Sequence, residues 1–210
     1  MKRKIAKALL KIQAVFLSPE KPFTWASGIQ SPIYCDNRLV LSYPPVRKLV
    51  EEGLAKLIQK HYPDCELVAG TSTAGIAHAA LAAELLDLPM AYVRGSAKDH
   101  GRNNRIEGRV EKDQKVVVVE DLISTGGSVV EVVEALRETG AQVLGIVSIF
   151  TYGMQKGIDR LKEAEVENVS LTNFNVLAEV AVEEGYISEK DLAKLEAFQK
   201  NPSDSGWMAL

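Results

Sequence analysis

The stretch that decides the fold is VVVVEDLISTGGS, residues 116–128. Four valines run into Glu120 and Asp121, and after two aliphatic residues comes a cluster of hydroxyls and glycines. Because acidic residues are depleted in strands, an apolar strand over 115–119 predicts that the chain leaves the sheet at Glu120 and turns both carboxylates toward a ligand. Two carboxylates can accept hydrogen bonds from a pair of vicinal hydroxyls, or bind a ligand that carries magnesium.

The hydroxyl and glycine cluster Ser124–Ser128 leads into a predicted helix. Free backbone N–H groups and the helix dipole favour a phosphate at such a helix N-terminus. The stretch lacks the GK[ST] of a nucleotide P-loop, and the chain has no GxGxxG. The pattern predicts a ribose 5-phosphate site, and the alternative is an acidic strand end followed by a Ser-capped helix.

Strands and helices alternate on both sides of this stretch. An N-terminal helix carries Ile5, Leu9, Ile12 and Phe16 on one face, and further strands are predicted at 66–69, 90–93, 142–150 and 169–174. Strands that are apolar throughout indicate a mostly parallel sheet covered by helices on both faces, with the ligand at the carboxyl ends of the strands. We expect one α/β domain over 1–210, with a small N-terminal hood formed by about 1–40.

A second strand-to-helix turn, GTSTAG at 70–75, also offers small side chains and hydroxyls, notably Thr71 and Ser72. It could hold a second phosphate or a pyrophosphate, although a plain turn explains the same residues.

The third candidate is the long polar loop 92–108, in which Arg94, Lys98 and His100 stand among three glycines. Long loops in compact domains are often lids. A basic loop could close on a polyphosphate and exclude water, and the alternative is a solvated surface loop.

The bulk composition excludes several function classes. A net charge of −3 gives no general attraction for nucleic acid or an acidic membrane surface. No stretch approaches the roughly 20 apolar residues of a membrane span. Cys35 and Cys65 show no zinc spacing and are typical of reduced thiols. We therefore expect a cytoplasmic protein with no nucleic-acid or membrane partner.

These residues resemble the signature of the type I phosphoribosyltransferases: an aliphatic strand, an acidic pair and a Thr/Ser-Gly loop. Within that family the chain is similar to the orotate phosphoribosyltransferases over nearly its whole length. The features that narrow the resemblance are FTWASGIQSPIYCDNR (23–38), RGSAKDHG (94–101) and IFTYG (149–153).

The resemblance implies a Mg²⁺-dependent transfer of ribose 5-phosphate from phosphoribosyl pyrophosphate to orotate. It implies that phosphoribosyl pyrophosphate is bound by Arg94, Lys98, His100, Glu120, Asp121, Leu122, Ile123, Ser124, Thr125, Gly126, Gly127, Ser128, Thr71 and Ser72. Lys98, His100 and Asp121 would be catalytic, and Ser124 and Tyr34 would contact orotate. No metal site made by protein ligands is implied, because Mg²⁺ would arrive on the pyrophosphate. Lys98 and His100 would reach the neighbouring subunit's site, which implies a homodimer with shared active sites.

The sequence also departs from the family pattern. Ala26 and Gln30, and Gly95 with Ser96, replace lysines of some relatives, and Thr151 with Tyr152 occupies the place of an arginine. Two rival functions share the signature: transfer to a purine base, and a ligand-sensing regulator that has lost catalysis.

Overall fold

The computed structural model describes residues 1–25, 28–95 and 105–210. Its strands are β1 (Val15–Leu17), β2 (Phe23–Thr24), β3 (Gln30–Ser31), β4 (Ile33–Cys35), β5 (Leu67–Thr71), β6 (Met90–Val93), β7 (Ile106–Glu107), β8 (Lys115–Ile123), β9 (Gln142–Thr151) and β10 (Asn168–Asn173). Its α-helices are α1 (Lys2–Lys11), α2 (Pro44–His61), α3 (Ala74–Leu86), α4 (Gly127–Glu138), α5 (Gln155–Glu163), α6 (Phe174–Glu183) and α7 (Glu189–Lys200). Short 3₁₀ helices span Asn37–Ser42 and Ser205–Ala209.

Six strands form the central sheet in the order β10-β9-β8-β5-β6-β7. All neighbours are parallel except β6 and β7, which pair antiparallel at the edge. The valines of β8 alternate between two cores: Val116 and Val118 pack on the side of α4, and Val117 and Val119 on the side of α1, α2, α3 and α6. The predicted α/β architecture, with a mostly parallel sheet covered on both faces, is confirmed.

The extent of β8 corrects the prediction that the chain leaves the sheet at Glu120. The strand continues to Ile123, with Glu120 paired to Ser148 and Leu122 to Phe150 of β9. Because β9 runs on to Thr151 and pairs with β8 as far as Ile123, pairing outweighs the low strand preference of the acids.

The first helix is also shorter than predicted. It ends at Lys11, and Gln13 takes a left-handed φ of 56°. Phe16 lies instead in β1, opposite Tyr34 of β4, and is 38% exposed.

The N-terminal segment adds two small antiparallel pairs, β1 with β4 and β2 with β3. Helix α1 packs against α6 and β10. Among the helices of the described ranges, none combines the length and the apolar character needed to cross a membrane.

Candidate active site

The acidic pair lies within β8, where strand geometry alone would turn the two side chains to opposite faces. Glu120 is only 5% exposed, and its Oε1 accepts a hydrogen bond from the Asp121 amide at 2.9 Å, so its carboxyl folds back toward its neighbour. Burial, helped by the hydrogen bond and charge of Asp121, raises the pKa of Glu120 to about 8. Burial also raises the pKa of Asp121. Burial and the neighbouring carboxyl therefore favour a proton shared by the pair over two charged carboxylates.

A buried asparagine ties this strand end to the N-terminal segment. Asn37 is fully buried, and its Nδ2 donates to the backbone carbonyl of Asp121 at 2.7 Å. Its Oδ1 accepts a weak hydrogen bond from Cys35 Sγ at 3.4 Å. Next along the chain, Arg38 binds both carboxylate oxygens of Asp36 at 2.6 and 2.7 Å. Asn37 stands 84 positions before Asp121 in the sequence, so the acidic pair is positioned by a residue that is distant along the chain.

The loop Ser124–Gly126 is held from below by α5. Arg160 Nη1 donates to the Thr125 carbonyl at 3.0 Å, and a Cβ at Gly157 would stand 2.5 Å from the Ser124 carbonyl oxygen. Gly126 has φ +73° at the cap of α4, a conformation that glycine adopts at little cost. The Ser124 and Thr125 carbonyls therefore face α5, and the Gly126 carbonyl accepts the Val130 N–H. The free N–H groups at the start of α4, at Gly127 and Ser128, remain for an anion.

The turn after β5 lies beside the acidic pair. Thr71 is buried and its Oγ1 donates to the Val119 carbonyl at 3.3 Å. A Cβ at Gly75 would stand 2.6 Å from that same carbonyl, so only glycine lets α3 approach β8 so closely. The peptide bond between Ser72 and Thr73 is cis. Both strand-to-helix turns therefore meet at the carboxyl edge of the sheet.

The base of the basic loop follows β6. The backbone N–H of Arg94 donates to the Arg105 carbonyl at 2.8 Å, and the side-chain Nε of Arg105 donates to the Arg94 carbonyl at 3.1 Å. Arg94 Nε lies 3.6 Å from Glu107 Oε1. Its Nη2 is buried without a hydrogen-bond partner among the residues that the structure describes. Lys98 and His100 lie outside the described residues.

A cavity of about 290 Å³ opens between the N-terminal segment and the sheet edge. It is lined by Tyr34 and Ser124, the two residues predicted to contact the base, together with Thr24, Trp25, Cys35, Leu122 and Tyr152. Tyr34 is 42% exposed and lies 5.8 Å from the Phe23 ring. Three of the seven described side chains that line it, Trp25, Tyr34 and Tyr152, are aromatic, which suits a planar heterocycle.

A larger cavity of about 680 Å³ lies on the other side of Ser124, between α5 and the β9–β10 edge. Ile123 and Thr151 line it, whereas Tyr34 and Leu122 line the smaller cavity. Neither carboxylate of the acidic pair lines either cavity.

Sequence reasoning missed several residues of this site. Asn37, Arg160 and Gly157 act on the site through backbone carbonyls, and nothing in a sequence shows which carbonyl a distant side chain will reach. Trp25, Asn37 and Tyr152 stood in the stretches that narrowed the resemblance, so a signal was present for these three residues. Within the described ranges, no group of three or more His, Cys, Asp or Glu side chains could hold a metal ion.

Comparisons with known proteins agree with this geometry. The family model of the phosphoribosyl transferase domain matches residues 40–184. The orotate phosphoribosyltransferase of Bacillus cereus (strain G9842) is 58% identical over 208 residues, which are 99% of each chain.

Solved structures show the same fold. The orotate phosphoribosyltransferase of Aeropyrum pernix has a TM-score of 0.75 at 29% identity, over 88% of this chain and 99% of that one. The UMP synthase of Leishmania donovani has a TM-score of 0.79 at 28% identity, over 94% of this chain. The chain spans 42% of the length of that synthase. With a family match over most of its length and full-length relatives of this identity, the chain belongs to the phosphoribosyltransferase family, in the group whose curated members are named orotate phosphoribosyltransferases.

Proposed function

We propose that this enzyme transfers ribose 5-phosphate from phosphoribosyl pyrophosphate to orotate, giving orotidine 5′-phosphate and pyrophosphate. The observation that carries the proposal is the meeting of three features at one sheet edge: the carboxyl pair, the loop at the N-terminus of α4, and the pocket shared by Tyr34 and Ser124. The full-length relatives at 58% identity, named orotate phosphoribosyltransferases, support the choice of base.

The acidic pair would bind the two ribose hydroxyls. With the pKa of Glu120 near 8 and a proton on the pair, one carboxyl can donate a hydrogen bond and the other can accept one. Asp121 is less buried than Glu120, and its carboxylate would stabilise the positive charge that grows on the sugar as the bond to pyrophosphate breaks. The 5′-phosphate would rest on the N–H groups of 124–128.

The pyrophosphate would lie against Thr71 and Ser72, with Arg94 above it. Arg94 Nη2 is buried and has no hydrogen-bond partner within residues 1–25, 28–95 and 105–210, which supports this role because such a guanidinium donor favours an anion. Lys98 and His100 would complete the neutralisation of the leaving group from the partner subunit, as the resemblance implies.

Mg²⁺ fits this donor set as a substrate-borne ion. It keeps several waters and needs only one or two protein carboxylates beside substrate phosphates, and the ionised carboxyl of the acidic pair can provide one. When bound, it would offset part of the pyrophosphate charge. We also propose one domain over 1–210 with its hood at about 1–40, a homodimer with shared sites, and a cytoplasmic location, which the two free, buried cysteines support.

The test is orotate's ultraviolet absorbance on mixing enzyme, Mg²⁺ and phosphoribosyl pyrophosphate. We expect a fall that requires all three components. Turnover of adenine or xanthine instead of orotate would reassign the base, and silence with every base would indicate a sensor.

A further inference from the structure

We infer that helix α7 determines base selectivity, because Phe198 and Gln199 hold Trp25 and Tyr152 as one wall of the base pocket. The inference rests on the proposed function and names the residues that shape its base site. Phe198 and Gln199 do not line the pocket themselves, so they are positioning residues.

The wall is an aromatic pair that α7 supports from behind. The rings of Trp25 and Tyr152 both line the pocket and meet edge to face, with centroids 5.6 Å apart. Phe198 contacts Trp25 at 5.7 Å and 89°, the perpendicular geometry that aromatic pairs prefer. Trp25 is only partly buried, so its aromatic contacts with Tyr152 and Phe198 matter for the angle of its ring. Without Phe198 the ring would lose one of these two contacts.

Gln199 acts on the other half of the wall. Its Nε2 donates to the Tyr152 backbone carbonyl at 2.7 Å, just where β9 has ended. Gly153 follows with φ +63°, and a Cβ there would stand 3.2 Å from Gln199 Nε2. The turn after β9 therefore takes its position from α7 as well as from the sheet.

Helix α7 is itself fixed to the body of the protein. Ser188 and Asp191 form a capping box at its start. Lys194, 6% exposed, pairs with Glu20 of the N-terminal segment at 2.6 Å, and Phe198 packs on Trp207 at 5.9 Å. A helix anchored at both ends can transmit its position to the pocket wall.

The placement of these residues along the chain fits a selectivity role. The shared family domain, 40–184, contains Thr71–Ser72 and Glu120–Ser128, which would hold the ribose phosphate. Trp25 precedes that domain, and α7 follows it. Tyr152, the other half of the wall, lies inside the shared domain, so α7 joins a part of that domain to the N-terminal segment outside it.

The experiment compares Phe198→Ala, Phe198→Leu and Gln199→Met with the wild type in steady-state kinetics. We expect Phe198→Ala to raise the KM for orotate about 10- to 100-fold, because a misplacement of about 1 Å can cost about 100-fold, and to lower the ratio of kcat/KM for orotate to that for adenine. Phe198→Leu keeps most of the bulk and should restore much of the affinity. The KM for phosphoribosyl pyrophosphate should stay unchanged in all three. Leu195→Ala is the matched control, since Leu195 is equally buried on α7 but does not belong to the aromatic wall.

A second readout uses the tryptophans, of which the chain has two. In a Trp207→Phe background only Trp25 emits, and bound orotate should protect it from acrylamide quenching. Protection that Phe198→Ala weakens supports the inference. An unchanged KM for orotate in both Phe198 variants, equal rises in both KM values, or the same selective rise in Leu195→Ala would overturn it. A wild type that does not use orotate would instead overturn the proposed function, and the inference with it.

Discussion

At the scale of single residues, the acidic pair combines two conflicting requirements, burial within the sheet and contact with a ligand. Glu120 is buried because it lies within β8, yet it is one of the two groups proposed to bind the ribose hydroxyls. Its pKa near 8 shows the cost of that burial: charge on Glu120 is disfavoured until a ligand compensates it.

The pKa of Glu120 predicts a pH dependence of stability. The native protein binds this proton more tightly than the unfolded chain, where the pKa is 4.5. The resulting stabilisation is complete below pH 4.5 and is lost as the pH rises through about 8. Glu120→Gln carries no such charge, so relative to wild type it should be more stable at pH 8.5 than at pH 5.5. Each kcal/mol would appear as about 2–4 °C in melting temperature.

The control for that measurement is Glu134→Gln, an exposed glutamate on α4. It should leave the pH profile of the melting temperature unchanged. If the melting temperatures of wild type and Glu120→Gln differed by the same amount at both pH values, titration of Glu120 would not contribute to the pH dependence of stability.

Asn37 predicts an effect on both stability and substrate binding. Asn37→Ala leaves the Asp121 carbonyl without its donor, which should lower the free energy of unfolding by about 1–3 kcal/mol and raise the KM for phosphoribosyl pyrophosphate. Denaturant unfolding and steady-state kinetics measure the two effects.

Thr172→Val provides the contrast for Asn37→Ala. Thr172 is equally buried in β10, but its Oγ1 has no hydrogen-bond partner in the part of the chain that the structure describes. Replacing it by an isosteric apolar residue should be neutral or stabilising. If both variants lost the same stability, the bond from Asn37 to Asp121 would have no special weight.

At the scale of elements, α5 acts as a support for the phosphate loop. Its only fully buried residue is Gly157, which lies against the Ser124 carbonyl, and its Arg160 binds the Thr125 carbonyl. The helix is attached to the site more closely than to the core.

Gly157→Ala should therefore impair phosphate binding. Its Cβ would meet a backbone oxygen at 2.5 Å, which cannot rotate away as a side chain can. The loop must shift, and we expect the KM for phosphoribosyl pyrophosphate to rise about tenfold or more. Gly53→Ala is the matched control, because its Cβ would meet only the flexible end of the Leu171 side chain, at 2.8 Å. Equal KM values in the two variants would contradict the role of α5.

At the scale of the whole molecule, the proposed shared sites predict complementation between two inactive variants. Lys98→Ala and Asp121→Asn should each lower turnover about 100- to 1,000-fold, the usual loss for a well-placed charge-stabilising group. If the two residues of one site come from different subunits, a mixed dimer has one intact site. Random mixing in equal amounts should then restore about a quarter of wild-type activity.

Activity after unfolding and refolding the two variants together, compared with each refolded alone, measures this restoration. No gain over the separate variants, with dimers present by sedimentation, would place Lys98 and Asp121 in the same subunit's site.

The sequence by itself determined the elements and the chemistry that is local along the chain. Alternating apolar strands and helices predicted the parallel sheet, and the run from Val116 to Ser128 predicted where its ligand edge lies. These features are local because hydrophobic periodicity, secondary-structure propensity and loop composition are each set by residues that are close together in the sequence.

Only the tertiary structure decided how far β8 runs, that Glu120 is buried with a raised pKa, and which distant side chains hold the site. Asn37 reaches Asp121, Arg160 reaches Thr125, and α7 reaches the wall at Trp25 and Tyr152. Each of these contacts involves a backbone carbonyl or an aromatic ring, and the sequence does not show which distant residue such a group will contact. Their partners are set by the way the sheet, α5 and α7 pack, and so they exist only once the chain has folded.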